Sequence, residues 1–208
     1  MTPTQIQALI DELNYGLSQR PPRTLQRVKR AGVLIPLLTD GLEPTLVLTR
    51  RADTLNSHRG EVAFPGGMWE QGDQDIAATA LREAREEVGL HPDSVELIGA
   101  VDDLIPASSD VTVTPTIGVV RQRPQWQINR AEVARVFEIP LSALQRASGW
   151  RTEHHVWKRR KIPIYYFDFD GETLWGLSAY ATLLTLQLLG VGSPIDMSAY
   201  DRQVGRPE

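Results

Sequence analysis

The segment from Ser57 to Leu90 reads SHRGEVAFPGGMWEQGDQDIAATALREAREEVGL, with glycines in its first half and a cluster of glutamates near its end. A Phe-Pro-Gly-Gly run ends at Gly67, and three glutamates, Glu83, Glu86 and Glu87, lie close together near the end of the segment. On a helix, like charges three or four residues apart repel one another. A partner that offsets this repulsion is therefore expected.

A helix is predicted from Asp73 or Asp75 to about Val88. Either aspartate can cap its first turn, and Gly89 followed by apolar Leu90 is typical of a left-handed helix end. At 100° per residue the three glutamates share one stripe, and the neighbouring stripe is apolar. The apolar stripe contains Ala77, Ala80, Leu81, Ala84 and Val88. One face of the helix is therefore expected to pack, and the face beside it is acidic.

The acidic stripe has two interpretations. Arg82 and Arg85 lie among the glutamates, and an exposed helix with many ion pairs would have the same composition. A bound divalent cation would instead turn the repulsion into coordination, because hard ions such as Mg²⁺ prefer oxygen ligands and substrate phosphates. Gly66 and Gly67 favour the cation, since glycine permits a tight turn or a close approach of backbone to ligand.

The composition indicates one globular domain of 208 residues, with 41% hydrophobic and 23% charged residues. There are 22 basic and 26 acidic side chains, so no positive field favours nucleic acid or anionic membranes. The chain has no cysteine, which excludes disulfides and thiol catalysis and is compatible with a reducing cytosol. Residues 1–17 lack the apolar core of a signal peptide. We expect a cytoplasmic protein without nucleic-acid or membrane partners.

The rest of the chain alternates between helical and β patterns. Helices are predicted at 4–17, 141–147 and 175–189. Strands are predicted at 31–40, 43–51, 60–64, 95–104, 112–120, 135–139 and 161–169. Asp40-Gly41 between the first two strands predicts a hairpin, and the uncharged helix that begins at Trp175 is too short and polar to favour a membrane span. This order favours a mixed sheet covered by helices on two faces.

The run REAREEVGL, from Arg82 to Leu90, matches the second half of the Nudix box at every fixed position. The first half departs from the usual pattern, because Asp73 stands six residues after Gly67 where the family usually has glutamate. One extra residue also precedes Arg82. This variant of the box resembles the subgroup of Nudix hydrolases that includes the coenzyme A pyrophosphatases.

The segment LTRRADTLNSHRGEVAFPGG, upstream of the box, extends the resemblance to that subgroup. It supplies Leu48, Thr49, Arg51, Ala52, Gly60 and the run from Phe64 to Gly67 at the expected spacing. Asn56 stands where a second arginine is expected. Further likeness in VTVTPTIGVV, EVARVFEIPL and WGLSAY extends the match from Ala31 to about Leu189. We therefore predict an N-terminal helix and linker at 1–30, a Nudix domain at 31–190 and a C-terminal tail at 191–208.

The resemblance implies an α/β Nudix fold, with a mixed β-sheet between helices and an added N-terminal helix. It also implies hydrolysis of a nucleoside diphosphate derivative, by water attacking a phosphorus of the pyrophosphate bridge, with Mg²⁺ or Mn²⁺ on the Nudix helix. Carried over by position, the metal ligands are Glu83, Glu87, Glu86 and the carbonyl of Gly67. Arg82 is expected to hold the Glu86 carboxylate.

Several further residues are candidates for the chemistry, and each also has an ordinary structural interpretation. The candidates for the catalytic base, in order, are Glu86, Glu61 and Glu132. The candidates for contacting substrate phosphates are Arg51, His58 and Arg59. Aromatic residues that could stack on a base are Tyr165, Tyr166 and Trp175, although packing in the core is the favoured interpretation for all three.

Three functions follow from the resemblance. The first is cleavage of coenzyme A or its thioesters to adenosine 3′,5′-bisphosphate and a phosphopantetheine product. The second is cleavage of another nucleotide such as ADP-ribose or NADH, which the asparagine at position 56 favours. The third is nucleotide sensing without cleavage, which the retention of all three glutamates disfavours. The sequence leaves open whether the chain is a monomer or a homodimer.

Overall fold

The computed structural model describes residues 1–25, 28–55, 57–106, 109–157 and 160–197. Its helices are α1 (Pro3–Gln19), α2 (Ile76–Val88), α3 (Leu141–Leu144) and α4 (Gly176–Leu188). Its strands are β1 (Lys29–Leu38), β2 (Thr45–Arg51), β3 (Val62–Ala63), β4 (Gly66–Met68), β5 (Val95–Ala100), β6 (Val111–Val120), β7 (Val133–Pro140), β8 (Trp150–Trp157), β9 (Arg160–Phe169) and β10 (Glu172–Trp175). Each predicted helix and strand is present, with shifted ends.

The larger sheet has seven strands and mixed directions. Its main path runs β3-β2-β1-β6-β5, with β4 paired to β1 and β7 paired to β2. The long strand β1 is parallel to β6 over its whole length, from Lys29 opposite Val111 to Leu38 opposite Val120. The predicted hairpin of β1 and β2 is present but pairs only next to its loop, because farther along β1 pairs with β4 and β2 pairs with β3.

Helices cover both faces of this sheet, as predicted. On one face, Ala80, Ala84 and Val88 of α2 pack in a buried cluster with Leu34 and Val47 of the sheet. On the other face, a larger cluster joins side chains of α1 and α4 to alternate positions of the same strands. Because successive strand residues point to opposite faces, a single apolar strand such as β1 contributes side chains to both clusters.

A second sheet, which the sequence pattern does not predict, contains three antiparallel strands in the order β10-β9-β8. Strand β8 has the sequence WRTEHHVW and is exposed from Arg151 to Val156, so it lacks the buried alternation that marks a strand. Strand β10 has only four residues. The β9–β10 hairpin contacts β3 and therefore lies beside the glycine-rich segment.

The two ends of the described chain pack onto the domain. Helix α1 contacts α4 and β5, and Arg20 after its end forms an ion pair with buried Asp102 at 3.4 Å. Met197 is 3% exposed and belongs to the larger apolar cluster. In the described part of the chain, no helix is both long enough and apolar enough to cross a membrane.

Candidate metal centre

Helix α2 is held at both ends by the residues that the sequence marks. The Asp75 side chain caps its start by accepting a hydrogen bond from the Ala78 backbone at 2.8 Å. Gly89 ends it with a φ of 73°, and a Cβ there would lie 2.7 Å from the Gln127 Cβ. Only glycine fits both the left-handed backbone and this close contact. The ends of α2 fix the position of the three glutamates on it.

Gly66 and Gly67 lie in strand β4 rather than in a turn, so the turn interpretation is wrong, and the approach of their backbone to a ligand stays a prediction. A Cβ on Gly66 would lie 2.6 Å from the Gly32 carbonyl oxygen, and one on Gly67 would overlap the carboxylate of Glu83. The missing side chains therefore let β4 lie against both β1 and α2. This contact brings the backbone of Gly67 next to Glu83.

Glu87 is the most buried carboxyl of the site, at 3% exposure. Burial raises its pKa to about 8, and the nearby carboxylates of Glu83 and Glu132 act in the same direction. The opposing influences are the Arg51 guanidinium, whose Nη1 lies 4.0 Å from Glu87 Oε1, and a hydrogen bond from the Gly66 backbone. These contacts leave the Glu87 charge only partly compensated.

Arg82 connects the carboxylates of α2 to the loop that precedes the helix. Its Nη1 lies 2.9 Å from Glu83 Oε1 and 3.2 Å from Glu86 Oε2, and its Nη2 donates to the Met68 carbonyl at 3.0 Å. Its Nε and Nη2 also donate to the carboxylate of Asp73, each at 3.1 Å. The expected contact with Glu86 is thus one of four that fix the guanidinium.

Asp73 is the part of this network that sequence reasoning missed. It was a candidate helix cap, but it accepts hydrogen bonds from Arg82, from the Thr79 hydroxyl at 2.8 Å and from the Glu70 backbone at 3.0 Å. The bonds from Arg82 are the main reason that its pKa falls to about 2. The sequence marks Asp73 by its place in the Nudix box, but its spacing of nine residues from Arg82 is too common to assign the pair.

The donor atoms of the site suit a hard divalent cation. Glu83 and Glu87 offer carboxylate oxygens beside the Gly67 backbone, and burial raises the pKa of Glu83 as it does that of Glu87. Glu86 lies at the rim of the site, with 55% of its side chain exposed. In the described ranges, no three acidic, histidine or cysteine side chains are already arranged around a common metal position. Arg82 holds Glu83 and Glu86 in this arrangement. The all-oxygen donors and the undercompensated Glu87 charge fit Mg²⁺ or Mn²⁺.

The other two candidate bases lie in different surroundings. Glu132 is close enough to raise the pKa values of Glu83 and Glu87, and it accepts a hydrogen bond from Asn129 Nδ2 at 3.2 Å. Glu61 is held instead by His58, with 2.9 Å between Nδ1 and Oε2. The structure therefore places Glu132, and not Glu61, within the electrostatic reach of the buried carboxylates.

The three residues predicted to contact substrate phosphates also lie in different surroundings. Arg51 faces Glu87, and its buried Nε has no hydrogen-bond partner among the described residues. His58 has a φ of 55° and binds Glu61, whereas Arg59 is exposed on the same loop. Asn56, where the subgroup has arginine, lies outside the described residues. Of the three, Arg51 alone is paired with a carboxylate of α2 in the described structure.

The candidate aromatic residues divide between the core and the surface. Tyr165 is 1% exposed and stacks on Tyr180, with ring centres 6.3 Å apart, as the core interpretation predicts. That interpretation is wrong for Trp175, which is 37% exposed, and for half-buried Tyr166 beside it. Their rings are 6.1 Å apart and 7° from parallel. This pair lines a surface cleft.

Comparison with known proteins finds a family model and relatives that match most of the chain. Residues 28–163 match the family model described as the NUDIX domain. The chain is 37% identical over 175 residues to the uncharacterized Nudix hydrolase NudL of Photorhabdus laumondii, covering 83% of this chain and 92% of that protein. It is 35% identical over 181 residues to NudL of Pectobacterium atrosepticum, covering 86% and 93%. A solved MutT/nudix family protein from Enterococcus faecalis matches at 14% identity, over 98% of this chain and 75% of that one, with a TM-score of 0.49.

Proposed function

The chain belongs to the Nudix hydrolase family, and from this premise we propose that it hydrolyses the pyrophosphate bond of coenzyme A or its thioesters. The products are adenosine 3′,5′-bisphosphate and 4′-phosphopantetheine or its acyl form. Support comes chiefly from one feature, the buried and undercompensated carboxyl of Glu87 beside Arg51, on a helix that also carries Glu83 and Glu86. This feature suits a bound cation and an anionic substrate together.

Glu83, Glu87 and Glu86 would hold the cation, with the backbone carbonyl of Gly67 as a fourth candidate ligand. When bound, a Mg²⁺ or Mn²⁺ ion supplies two effects, a lower pKa of coordinated water and neutralisation of phosphoryl charge. Glu87 provides a carboxyl whose pKa the fold raises to about 8, and a bound cation would take the place of its proton. Burial of that carboxyl therefore favours a positively charged partner over solvent.

Arg82 and Asp73 act as positioning residues for this carboxylate set. The guanidinium is fixed on one side by Asp73 and the Met68 carbonyl, so it presents Nη1 to Glu83 and Glu86 in a set orientation. Partners that orient metal ligands typically affect metal affinity by about 10- to 100-fold. Both residues are therefore expected to tune the site without touching the substrate.

Arg51 is the residue we assign to the substrate phosphates. Its Nη1 lies 4.0 Å from Glu87, while its buried Nε lacks a partner among the described residues. An unpaired buried donor is unfavourable, and a charge-assisted hydrogen bond to a phosphate oxygen would satisfy it. Arg51 would thus orient the pyrophosphate bridge next to the carboxylates.

Two glutamates remain as acceptors for the proton of the attacking water. Glu86 is on α2 itself and is solvent-accessible at the rim, whereas Glu132 lies near Glu83 and Glu87 and accepts a hydrogen bond from Asn129. Glu61 is the weaker candidate because its carboxylate is bonded to His58 and faces another cleft. Separate Gln substitutions at positions 86, 132 and 61, with kcat measured against pH, distinguish them. The base is the position whose loss abolishes the acidic limb of the profile.

The choice of coenzyme A rests on the sequence signature around the site. The Asp73 variant of the box and the segment from Leu48 to Gly67 resemble the coenzyme A subgroup. Asn56 in place of the second arginine favours the alternative substrates, ADP-ribose or NADH, which lack the 3′-phosphate of coenzyme A. The two possibilities share one reaction and differ in a single basic contact.

A substrate panel tests the proposal. Purified protein with Mn²⁺ or Mg²⁺ is incubated with coenzyme A, acetyl coenzyme A, ADP-ribose and NADH, and the products are separated by mass spectrometry. Coenzyme A is expected to give the highest kcat/KM. Cleavage of ADP-ribose or NADH without cleavage of coenzyme A would contradict the substrate assignment and leave the reaction intact. The variant Asn56→Arg should raise kcat/KM for coenzyme A selectively if the missing contact matters.

A further inference from the structure

A second concave site lies beside the glycine-rich segment, at the junction of β2, β3 and the β9–β10 hairpin. It is an open cleft with a volume of about 470 Å³. Its lining includes Arg50, Glu61, Tyr166, Glu172, Thr173 and Trp175. Cavities of about 300 to 1,000 Å³ are the usual size for small-molecule sites. The cleft is therefore large enough for a small organic group.

The distinguishing feature of this cleft is its aromatic wall. Tyr166 and Trp175 are directly paired across β9 and β10, and their rings are nearly parallel. Trp175 is 37% exposed, which is unusual for a side chain whose burial would be strongly favourable. The Arg151 guanidinium, on the neighbouring strand β8, lies over the Tyr166 ring at 4.6 Å from its centre, outside the lining of the cleft. Flat, amphipathic surfaces of this kind stack planar heterocycles.

Each charged side chain that lines the cleft already has a partner, which for Glu61 is His58 at 2.9 Å. Arg50 donates to Asp53 at 2.8 Å and lies 3.6 Å from Glu172, which is also 3.5 Å from Arg135. Because these charges are compensated, the cleft has no strong preference for an anion or a cation. A neutral planar group suits it better than a phosphate does.

The chain connects this cleft directly to the carboxylate site. Arg50 lines the cleft, and the next residue, Arg51, faces Glu87. Their Cα atoms lie about 3.8 Å apart, and the register of β2 against β7 shifts between them, which interrupts the regular alternation of side chains between the two faces. In addition, the Arg51 backbone donates to the carbonyl of Glu61, which is another cleft residue. A molecule with a planar group at one end and a pyrophosphate at the other could therefore contact both sides of this strand end.

We propose that the cleft lined by Tyr166 and Trp175 holds the adenine base of the nucleotide substrate. The assignment rests on the proposed function, because coenzyme A, ADP-ribose and NADH all carry adenosine next to their pyrophosphate. It adds the location of the base and the residues that select it. The aromatic pair contributes affinity for any substrate of this class, and the chemistry stays with the carboxylates of α2.

Binding of AMP in metal-free buffer tests this assignment separately from catalysis. AMP is titrated by calorimetry into the full chain and into the variants Trp175→Leu, Tyr166→Leu and Trp175→Phe. Since stacking on an aromatic ring contributes about 1 to 3 kcal/mol per base, each Leu variant should weaken AMP binding by about 5- to 140-fold. The Phe variant should retain most of the affinity because it keeps a ring.

Two controls make the result specific. Tyr15→Leu removes an aromatic side chain that is 61% exposed on α1 and should leave AMP binding unchanged. Ribose 5-phosphate, which lacks the base, should bind more weakly than AMP and equally to wild type and Trp175→Leu. Trp175 makes no side-chain capping bond at the start of α4, so its replacement leaves the hydrogen bonds of that helix intact.

The outcomes separate the two proposals. Unchanged AMP affinity in correctly folded Trp175→Leu and Tyr166→Leu, or no AMP binding to wild type, overturns the assignment of the cleft even if coenzyme A is cleaved. Loss of AMP binding in both Leu variants supports it even if the substrate panel shows no cleavage, in which case only the proposed reaction fails.

Discussion

Replacing Glu87 by Gln should make the metal-free protein more stable near neutral pH. Glu87 is 3% exposed, and its pKa is raised from 4.5 to about 8, mainly by burial. Between pH 4.5 and about 8, the folded protein therefore keeps a proton on this carboxyl, whereas the unfolded chain has released it. Under this condition the free energy of unfolding falls as pH rises. Gln keeps the shape and the acceptor oxygen but never ionises.

The size of the effect follows from the pKa difference. One pKa unit corresponds to about 1.4 kcal/mol, so the full shift gives a loss of roughly 4 to 5 kcal/mol in wild type between pH 4.5 and 8. The Gln variant should lose much less over this range. Some decline remains, because burial also raises the pKa of Glu83. The difference in stability between variant and wild type should thus grow steadily with pH.

Urea unfolding in EDTA at half-unit steps from pH 5 to 8.5 measures this difference. Glu86→Gln is the matched control, because that side chain is 55% exposed and its loss should change stability by less than about 1 kcal/mol. Addition of Mn²⁺ at 100 times its Kd should then stabilise wild type by about 2.7 kcal/mol and the Glu87→Gln variant far less. Parallel pH profiles for wild type and Glu87→Gln, or equal stabilisation of both by Mn²⁺, would refute the reasoning.

Three further substitutions probe the surroundings of the site. Asp73→Asn should reduce the free energy of unfolding at pH 7 by about 2 to 3 kcal/mol, measured with urea. The reason is that the pKa of Asp73 is lowered to about 2 in the folded protein, so its carboxylate stabilises the fold above pH 3.8 and loses this effect as pH falls to 2. In the control Asp93→Asn, at an exposed position, the free energy of unfolding should change by less than about 0.5 kcal/mol. Gly67→Ala should weaken Mn²⁺ binding at least about tenfold by calorimetry, with little change in Tm, because its Cβ displaces the flexible end of Glu83. Gly89→Ala should lower stability by more than about 1 to 2 kcal/mol, since its φ is 73° and its Cβ would also clash with Gln127, and an unchanged urea midpoint would contradict the helix-end assignment.

Local signals predicted the part of the fold that carries the chemistry. Asp75 and Gly89 mark the ends of α2 through capping rules that depend on a few neighbouring residues. The alternation of apolar residues located the central strands, and the helix period located the packed face of α2. These predictions are confirmed because short-range geometry and burial favour the same structure.

Long-range pairing accounts for what the sequence did not predict. The partners of β1 come from β4 and β6, far along the chain, and no local pattern specifies them. Strand β8 is polar and exposed, so it resembles a loop until β9 pairs with it. The Asp73–Arg82 pair and the Tyr166–Trp175 wall likewise form only when separate elements meet. The sequence therefore predicted helix α2 better than the surfaces around it.

The most direct test of the central claim is the fate of coenzyme A with Mn²⁺ in ¹⁸O-labelled water, analysed by mass spectrometry for wild type and Glu87→Gln. We predict adenosine 3′,5′-bisphosphate and 4′-phosphopantetheine from wild type, with label on a phosphate of one product, and a loss of most activity in the variant. Undiminished turnover by Glu87→Gln, or no metal-dependent cleavage of coenzyme A, ADP-ribose or NADH by wild type, would contradict the assignment of α2 as the reactive centre.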